Sequence, residues 1–359
     1  MTAHSSCTFN GLPFQKTRSV ANHKFWCLKS VDVVQNSQPL ELRAWAAQER
    51  VLSNRILGFN EDRMIWECNQ IYQKEESIED QSSVLIPNNR LESMAESLGQ
   101  YSSEPFAISQ WTYFVESYSA RQVTYEIDTF PAISGVIQKV QQITGDMYYA
   151  GLWKQHFLEG LLWRPEMRLA SRKRVEGHPQ IPRRRHEWIA PSWSWASVKG
   201  KITHMYSHDI EYCACLEECS VTQSGIDPFG ALKEGFARLT GPVTLITDFQ
   251  AEDEFQEYSA PNCIVQLSKG TSTGGTVYFD FFHRTSCDVL MITTRYGICI
   301  EKVEHTTNTY VRIGVVQTWS LPNTGDKVIY DDLGDPVETE QWRSPTTSDH
   351  VPPRSIILV

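Results

Sequence analysis

Five side chains join a useful chemical type to a suggestive setting: Glu49, Arg55, Tyr118, Arg121 and His156. A carboxylate or imidazole can move a proton, and an arginine or phenol can polarise a carbonyl or hold developing negative charge. Glu49 raises the sharpest question. Leu42, Trp45, Glu49 and Leu52 form one stripe of a 3.6-residue helix, three apolar and the fourth charged. A carboxylate buried alone costs several kcal/mol or takes up a proton. Arg43 and Arg55 flank the same helix, so a buried Glu–Arg pair is the favoured reading. A pocket-lining carboxyl with raised pKa, or a plain rim residue, is the alternative. His156 falls on an apolar stripe and reads as a satisfied core histidine before a general base.

Candidate walls for a binding pocket are Trp45, Trp66, Trp111, Trp153, Trp193 and Trp195. Such rings line sites for flat or polycyclic ligands, although core packing is their more frequent fate. His204, His208, Cys213, Cys215 and Cys219 lie close together, but C-x-C-x3-C is not the paired C-x2-C of structural zinc. Alternate positions on a strand with buried free thiols is the better reading, and no metal site is expected. Cofactor signatures are missing too. Gly270 to Thr276 (GTSTGGT) lacks the Walker lysine and reads as a turn; no G-x-S-x-G elbow occurs; Ser192 and Ser194 in PSWSWAS read as structural.

The elements that must position these groups follow from periodicity. A helix is predicted over 39–52, then strands at Arg55–Phe59 and near Met64–Cys68, then a long Ser-, Glu- and Asn-rich loop to about 104. Three helical stripes come next: Ile108 to Tyr118; Phe130 to Val140 with Asp128 as N-cap; and Tyr149 to Trp163. From about residue 209, β-branched alternating runs predict an antiparallel sandwich or barrel. The division expected is an irregular segment 1–38, a helix-rich region 39–200, a β-rich region 201–320 and a loose tail 321–359, an α+β fold with a helical N-terminal half.

The 359 residues carry a formal net charge of -10, which repels nucleic acid and acidic membranes. One basic stretch, 164–190 with Arg183, Arg184 and Arg185, reads as a solvated loop before a phosphate or partner contact. Nine irregularly spaced cysteines, no signal-peptide pattern, no usable N-x-S/T sequon and no apolar run long enough to span a membrane point to a cytoplasmic protein.

Arg43 to Phe59 followed by Trp66-Glu67-Cys68 resembles R-x-W-x-x-Q-E-x-x-L-S-x-R-x-L-x-F … W-E-C, the signature of fungal heterokaryon-incompatibility (HET) domain proteins. The likeness runs on through Trp111 to Tyr118, Arg121, Asp128, Ala132 to Gly135, Tyr149 to Trp153, Leu161 to Trp163, Ala190 to Ala196, Asp227 to Gly230 and Arg312 to Gly314. It implies a fungal protein of self/non-self recognition acting through protein contacts in a cell-death response. The chain departs from the family pattern at its start: it has no L-S-Y-x-W-G block, and only 42 residues precede Arg43. The favoured expectation is therefore recruitment into specialised metabolism, as a cofactor-free cyclase, pericyclase or isomerase (a lyase or isomerase type) acting on a hydrophobic terpenoid or polyketide-like molecule. The alternative partner is a protein. A closed pocket lined by the tryptophans would support the first, a solid core with an exposed apolar patch the second.

Overall fold

β-Branched residues crowd the second half of the chain, and there the strands close on themselves. The computed structural model describes residues 14–20, 23–28, 40, 42–59, 64–68, 72–74, 110–166, 183–185, 187–205, 211–250, 262–266, 272–280, 286–319 and 353–359. Eight strands form the main sheet: β12 (Cys215–Gln223), β13 (Leu232–Gln250), β14 (Asn262–Gln266), β15 (Ser272–Phe279), β16 (Cys287–Met291), β17 (Tyr296–Lys302), β18 (Thr309–Trp319) and β19 (Pro353–Leu358). Antiparallel pairing runs β13–β14–β15–β18–β17–β16, and β16 pairs back onto β13, so six strands make a closed barrel. The 19-residue β13 permits this, because its second half enters the barrel while its first half carries β12 and β19 outside it. β19 also runs parallel to the start of β18.

Period two explains how the barrel serves two cores. On β16, Val289 and Met291 join Cys263, Val265, Val277, Cys299 and Val316 in one inner cluster. Leu290 and Ile292, with Ile298 and Ile300 on β17, face outward and pack against the rest of the chain. Both faces are buried, so these strands read as continuous apolar runs.

Before the barrel come a hairpin of β1 (Phe14–Val20) and β2 (His23–Leu28), helix α1 (Ala44–Leu52), and a three-stranded antiparallel sheet of β3 (Arg55–Phe59), β4 (Met64–Cys68) and β5 (Tyr72–Lys74). Helix α2 (Gln110–Ser119), 3-10 turns at Glu126–Thr129 and Pro131–Ile133, and α3 (Ser134–Thr144) follow. Next are β6 (Tyr148–Tyr149), β7 (Leu152–Trp153), α4 (Phe157–Gly160) and four short strands: β8 (Trp163–Pro165), β9 (Arg183–Arg184), β10 (Val198–Lys199) and β11 (Ile202–His204). β9 pairs with β10, and β8 with β11.

The expected α+β class with a helical N-terminal half is overturned. Strand makes up 47% of the described residues against 25% helix, and their four α-helices are all short. The stripe Tyr149 to Trp163 is mainly responsible. Ala150 and Gly151 both take positive φ, 43° and 106°, and reverse the chain as a two-residue hairpin between β6 and β7. The aromatic spacing that suggested a helix instead belongs to a hairpin, a 3-10 turn and one turn of α4. Asp128 is not an N-cap either: it lies inside a 3-10 turn, and α3 begins at Ser134. Ser272 to Thr276, part of the stretch expected to be a turn, instead belong to β15. A paired hairpin lies in the segment expected to be irregular, and β19 in the one expected to be loose. Within the long loop expected to run to 104, Tyr72–Lys74 form β5, and the rest of that loop, most of the basic stretch, and His208 lie outside the described residues.

Candidate functional site

Helix α1 answers the Glu49 question by its rotation. Its buried residues are Ala44 and Ala47, with Val51 and Leu52 half-buried, while Glu49 is exposed and Trp45 and Leu42 are 41% and 40% exposed. Two alanines let α1 approach the 131–144 segment closely, and Gln48 exploits that approach. Its Oε1 accepts a 2.7 Å hydrogen bond from Gly135 N, one of the orphan donors at the start of α3. Glu49 is therefore neither in a pocket nor in a buried ion pair. Arg55 is exposed at the start of β3.

The tryptophans divide in the same way. Trp111, Trp153, Trp193 and Trp195 are at most 4% exposed, inside the core. Trp111 and Trp153 meet edge to face at 5.3 Å, Trp195 meets Tyr118 at 5.9 Å, and Phe157 tilts on Trp193 at 5.3 Å. Trp195 Nε1 donates to Gly151 O at 3.1 Å, and Trp163 Nε1 to Trp193 O at 3.0 Å. These rings pack on one another in the core. Trp66, 39% exposed, belongs instead to the surface.

That surface is one face of the β3–β4–β5 sheet. Arg55, Leu57 and Phe59 alternate outward along β3, and the register sets Trp66 directly opposite Leu57 and Met64 opposite Phe59. Leu57 and Phe59 are 52% and 51% exposed. Trp45 and Leu42 add apolar area on the outward side of α1, just before β3 in the chain.

Of the polar candidates, Tyr118 and Arg121 lie in one neighbourhood. The Tyr118 hydroxyl donates to Thr129 O at 2.6 Å in the core. Burial pushes this phenol well above its ordinary value, against the pull of Arg185 and Arg121. Arg121 Nη1 reaches Arg43 O at 3.4 Å. His156 is elsewhere and is not the core histidine expected: its side chain is 37% exposed, with Nδ1 3.8 Å from Glu159 Oε1. The same carboxylate accepts the Tyr212 hydroxyl. Burial alone would raise the Glu159 carboxyl, but its bonds with His156 and Tyr212 hold it below the usual carboxylate value.

Arg312 was invisible as a functional candidate, whereas His204 and the cysteines were weighed as a metal cluster. Arg312, on β18, is wholly buried: Nη1 is 2.6 Å from Asp280 Oδ2, Nη2 donates to Trp163 O, and the guanidinium sits 3.5 Å over the Trp163 ring. His204 is buried against Glu116, whose Oε1 accepts from His204 N at 2.7 Å and lies 3.2 Å from Nδ1. Cys213 and Cys219 are half-buried and Cys215 exposed, so the buried thiols are instead Cys263, Cys287 and Cys299, inside the barrel. Among the described residues no group of three or more His, Cys, Asp or Glu is placed to hold a metal ion.

A cleft of about 900 Å³ opens between the 185–197 segment, β12, β13 and β18. None of the six candidate tryptophans lines it; Trp188 does. Its edge depends on Gly235, where an added Cβ would stand 2.8 Å from Pro191 Cγ, so this close approach of loop to strand needs glycine. Ser192 ties the loop down, accepting from Arg312 N at 2.9 Å and donating N–H to Val359 O at 3.0 Å. Ser194 caps the following 3-10 turn through Ala196 N. Among the described residues no helix is long and apolar enough to cross a membrane. Comparison with protein-family models, curated proteins and solved structures finds no match to this chain.

Proposed function

We propose that this chain works through protein contacts, as a self/non-self recognition factor of the fungal heterokaryon-incompatibility type. One observation carries the reading: Leu57, Phe59 and Trp66 share an exposed sheet face while the tryptophans that could have walled a pocket fill the core. Three side chains about half exposed present roughly 250 Å² of apolar area. Covering it would contribute about 6 kcal/mol, comparable with the lower end of what association costs in lost freedom.

A second reading is attached to the cleft: cofactor-free chemistry on a small hydrophobic molecule, a cyclisation or isomerisation, with Arg185 as the polar group that lines it; Tyr118 and Arg121 do not line it. Deleting the gene separates the two. The first reading expects altered hyphal-fusion compatibility with an unchanged metabolite profile. Loss of one compound with build-up of its precursor, fusion being unaffected, would replace it with the second.

A further inference from the structure

Arg185 comes from a run of basic residues that suggests a solvated loop, yet its guanidinium is set into the protein. Nε donates to Ala196 O at 2.7 Å, and Nη1 is buried with no acceptor. Glu126, the acid whose charge it feels, has Oε1 committed to Lys199 at 3.1 Å. Among the described residues the guanidinium thus holds a neutral carbonyl and has no carboxylate in hydrogen-bond reach, although Glu126 Oε2 is likewise buried without a hydrogen-bond partner. Burial pulls its pKa down, with Glu126 and Tyr118 opposing, the sign of a cation whose lost hydration is incompletely replaced.

This arginine lines the cleft, and the rest of the lining tells what would sit there. Lys233 is exposed on β13, and Glu187 and Glu234 are exposed beside it. Glu234 Oε1 also lies 3.2 Å from Thr222 Oγ1. Arg312 is already neutralised by Asp280, so the side-chain charges left at the cleft, two positive and two negative, cancel. Such a site accepts one added negative charge but resists a polyanion, which the two glutamates would repel. Trp188, 50% exposed, with Ile189 and Phe236, supplies an apolar wall.

We propose that this cleft is a binding site for a small monocarboxylate with an apolar body, its carboxylate taken by the Arg185 guanidinium with Lys233 at the rim and its body laid against Trp188. The volume, about 900 Å³, suits a molecule of that class. The site is separate from the β3–β4 face and stands or falls without it.

Calorimetric titration of the full chain with decanoate and with decanol tests this. Decanoate should bind about tenfold or more tightly than decanol, the discrimination of one charge-assisted contact. Arg185→Gln should remove that preference. Lys233→Glu, an exposed change that leaves the fold alone, should weaken decanoate several-fold and leave decanol unchanged. A Leu57→Glu/Trp66→Glu variant should bind decanoate as the parent does. Equal affinity for acid and alcohol, no binding of either, or a preference untouched by Lys233→Glu would overturn the proposal.

Discussion

Removing the Asp280 charge should destabilise this protein more than removing the whole Arg312–Asp280 pair. The two side chains are 0% and 1% exposed and 2.6 Å apart. At an effective dielectric constant of about 20, opposite unit charges about 4 Å apart attract by roughly 4 kcal/mol. Desolvating both ions costs a similar amount or more, so the pair as a unit contributes little against an apolar replacement. Asp280→Asn keeps the desolvation of Arg312 and loses the attraction. The Trp163 carbonyl and ring remain as its neighbours, but neither carries a full charge. The expected loss is about 3–5 kcal/mol, read as a fall in the urea midpoint at constant slope. Arg312→Met with Asp280→Leu should lose less than Asp280→Asn alone, and the double-mutant cycle should show strong coupling. A loss under about 1 kcal/mol for Asp280→Asn, or purely additive single effects, would refute the reasoning.

Three further outcomes are expected. Gly151→Ala forces a side chain onto φ 106° with its Cβ 2.4 Å from Trp195 Nε1, so thermal melting should show a loss of about 2–4 kcal/mol; near-parental stability would mean the turn is not held as described. Tyr212→Phe should matter at neutral pH and not in acid. Glu159 titrates below its ordinary value of 4.5 in the folded chain, so its contribution is present above that value and vanishes as pH falls through the lowered one. Urea midpoints at pH 7 and well below pH 4 should therefore differ and then converge, and a pH-independent gap would contradict the assignment. Iodoacetamide at pH 8 should label exposed Cys215 early and spare Cys263, whose thiol burial pushes to about 12, and Cys299, whose thiol burial pushes well above its ordinary value; equal labelling by mass spectrometry would place those thiols outside the barrel.

The strands were legible because their signal is local. Alternation and β-branching mark β13 to β18, and Arg55–Phe59 is a strand as its residues suggest. Barrel closure was not legible, since it depends on β16 returning to β13 across more than forty residues. For α1, apolar size pointed to the wrong face. Leu42 and Trp45 outweigh Ala44 and Ala47 in any stripe, but only the alanines permit the close approach to the 131–144 segment. The Tyr149 to Trp163 stripe misled because its rings are spaced helically while Ala150-Gly151, a hairpin turn, interrupts them. Site residues were hardest. Arg185 looked like one basic residue among several, and its burial comes from contacts with Ala196 and the neighbourhood of Tyr118, distant in sequence. Arg312 and Asp280 likewise meet only once β15 and β18 are side by side.

The most direct test of the protein-contact reading is a comparison in one fungal host of the full chain, Leu57→Glu/Trp66→Glu and Ile226→Glu at matched levels, scored for death of fused cells. Ile226 is fully exposed between β12 and β13 and serves as the control. Death with the parent chain and with Ile226→Glu, abolished in the double variant with its melting temperature unchanged, is the expected result. A double variant as lethal as its parent, or a parent chain that never kills, would contradict the central claim.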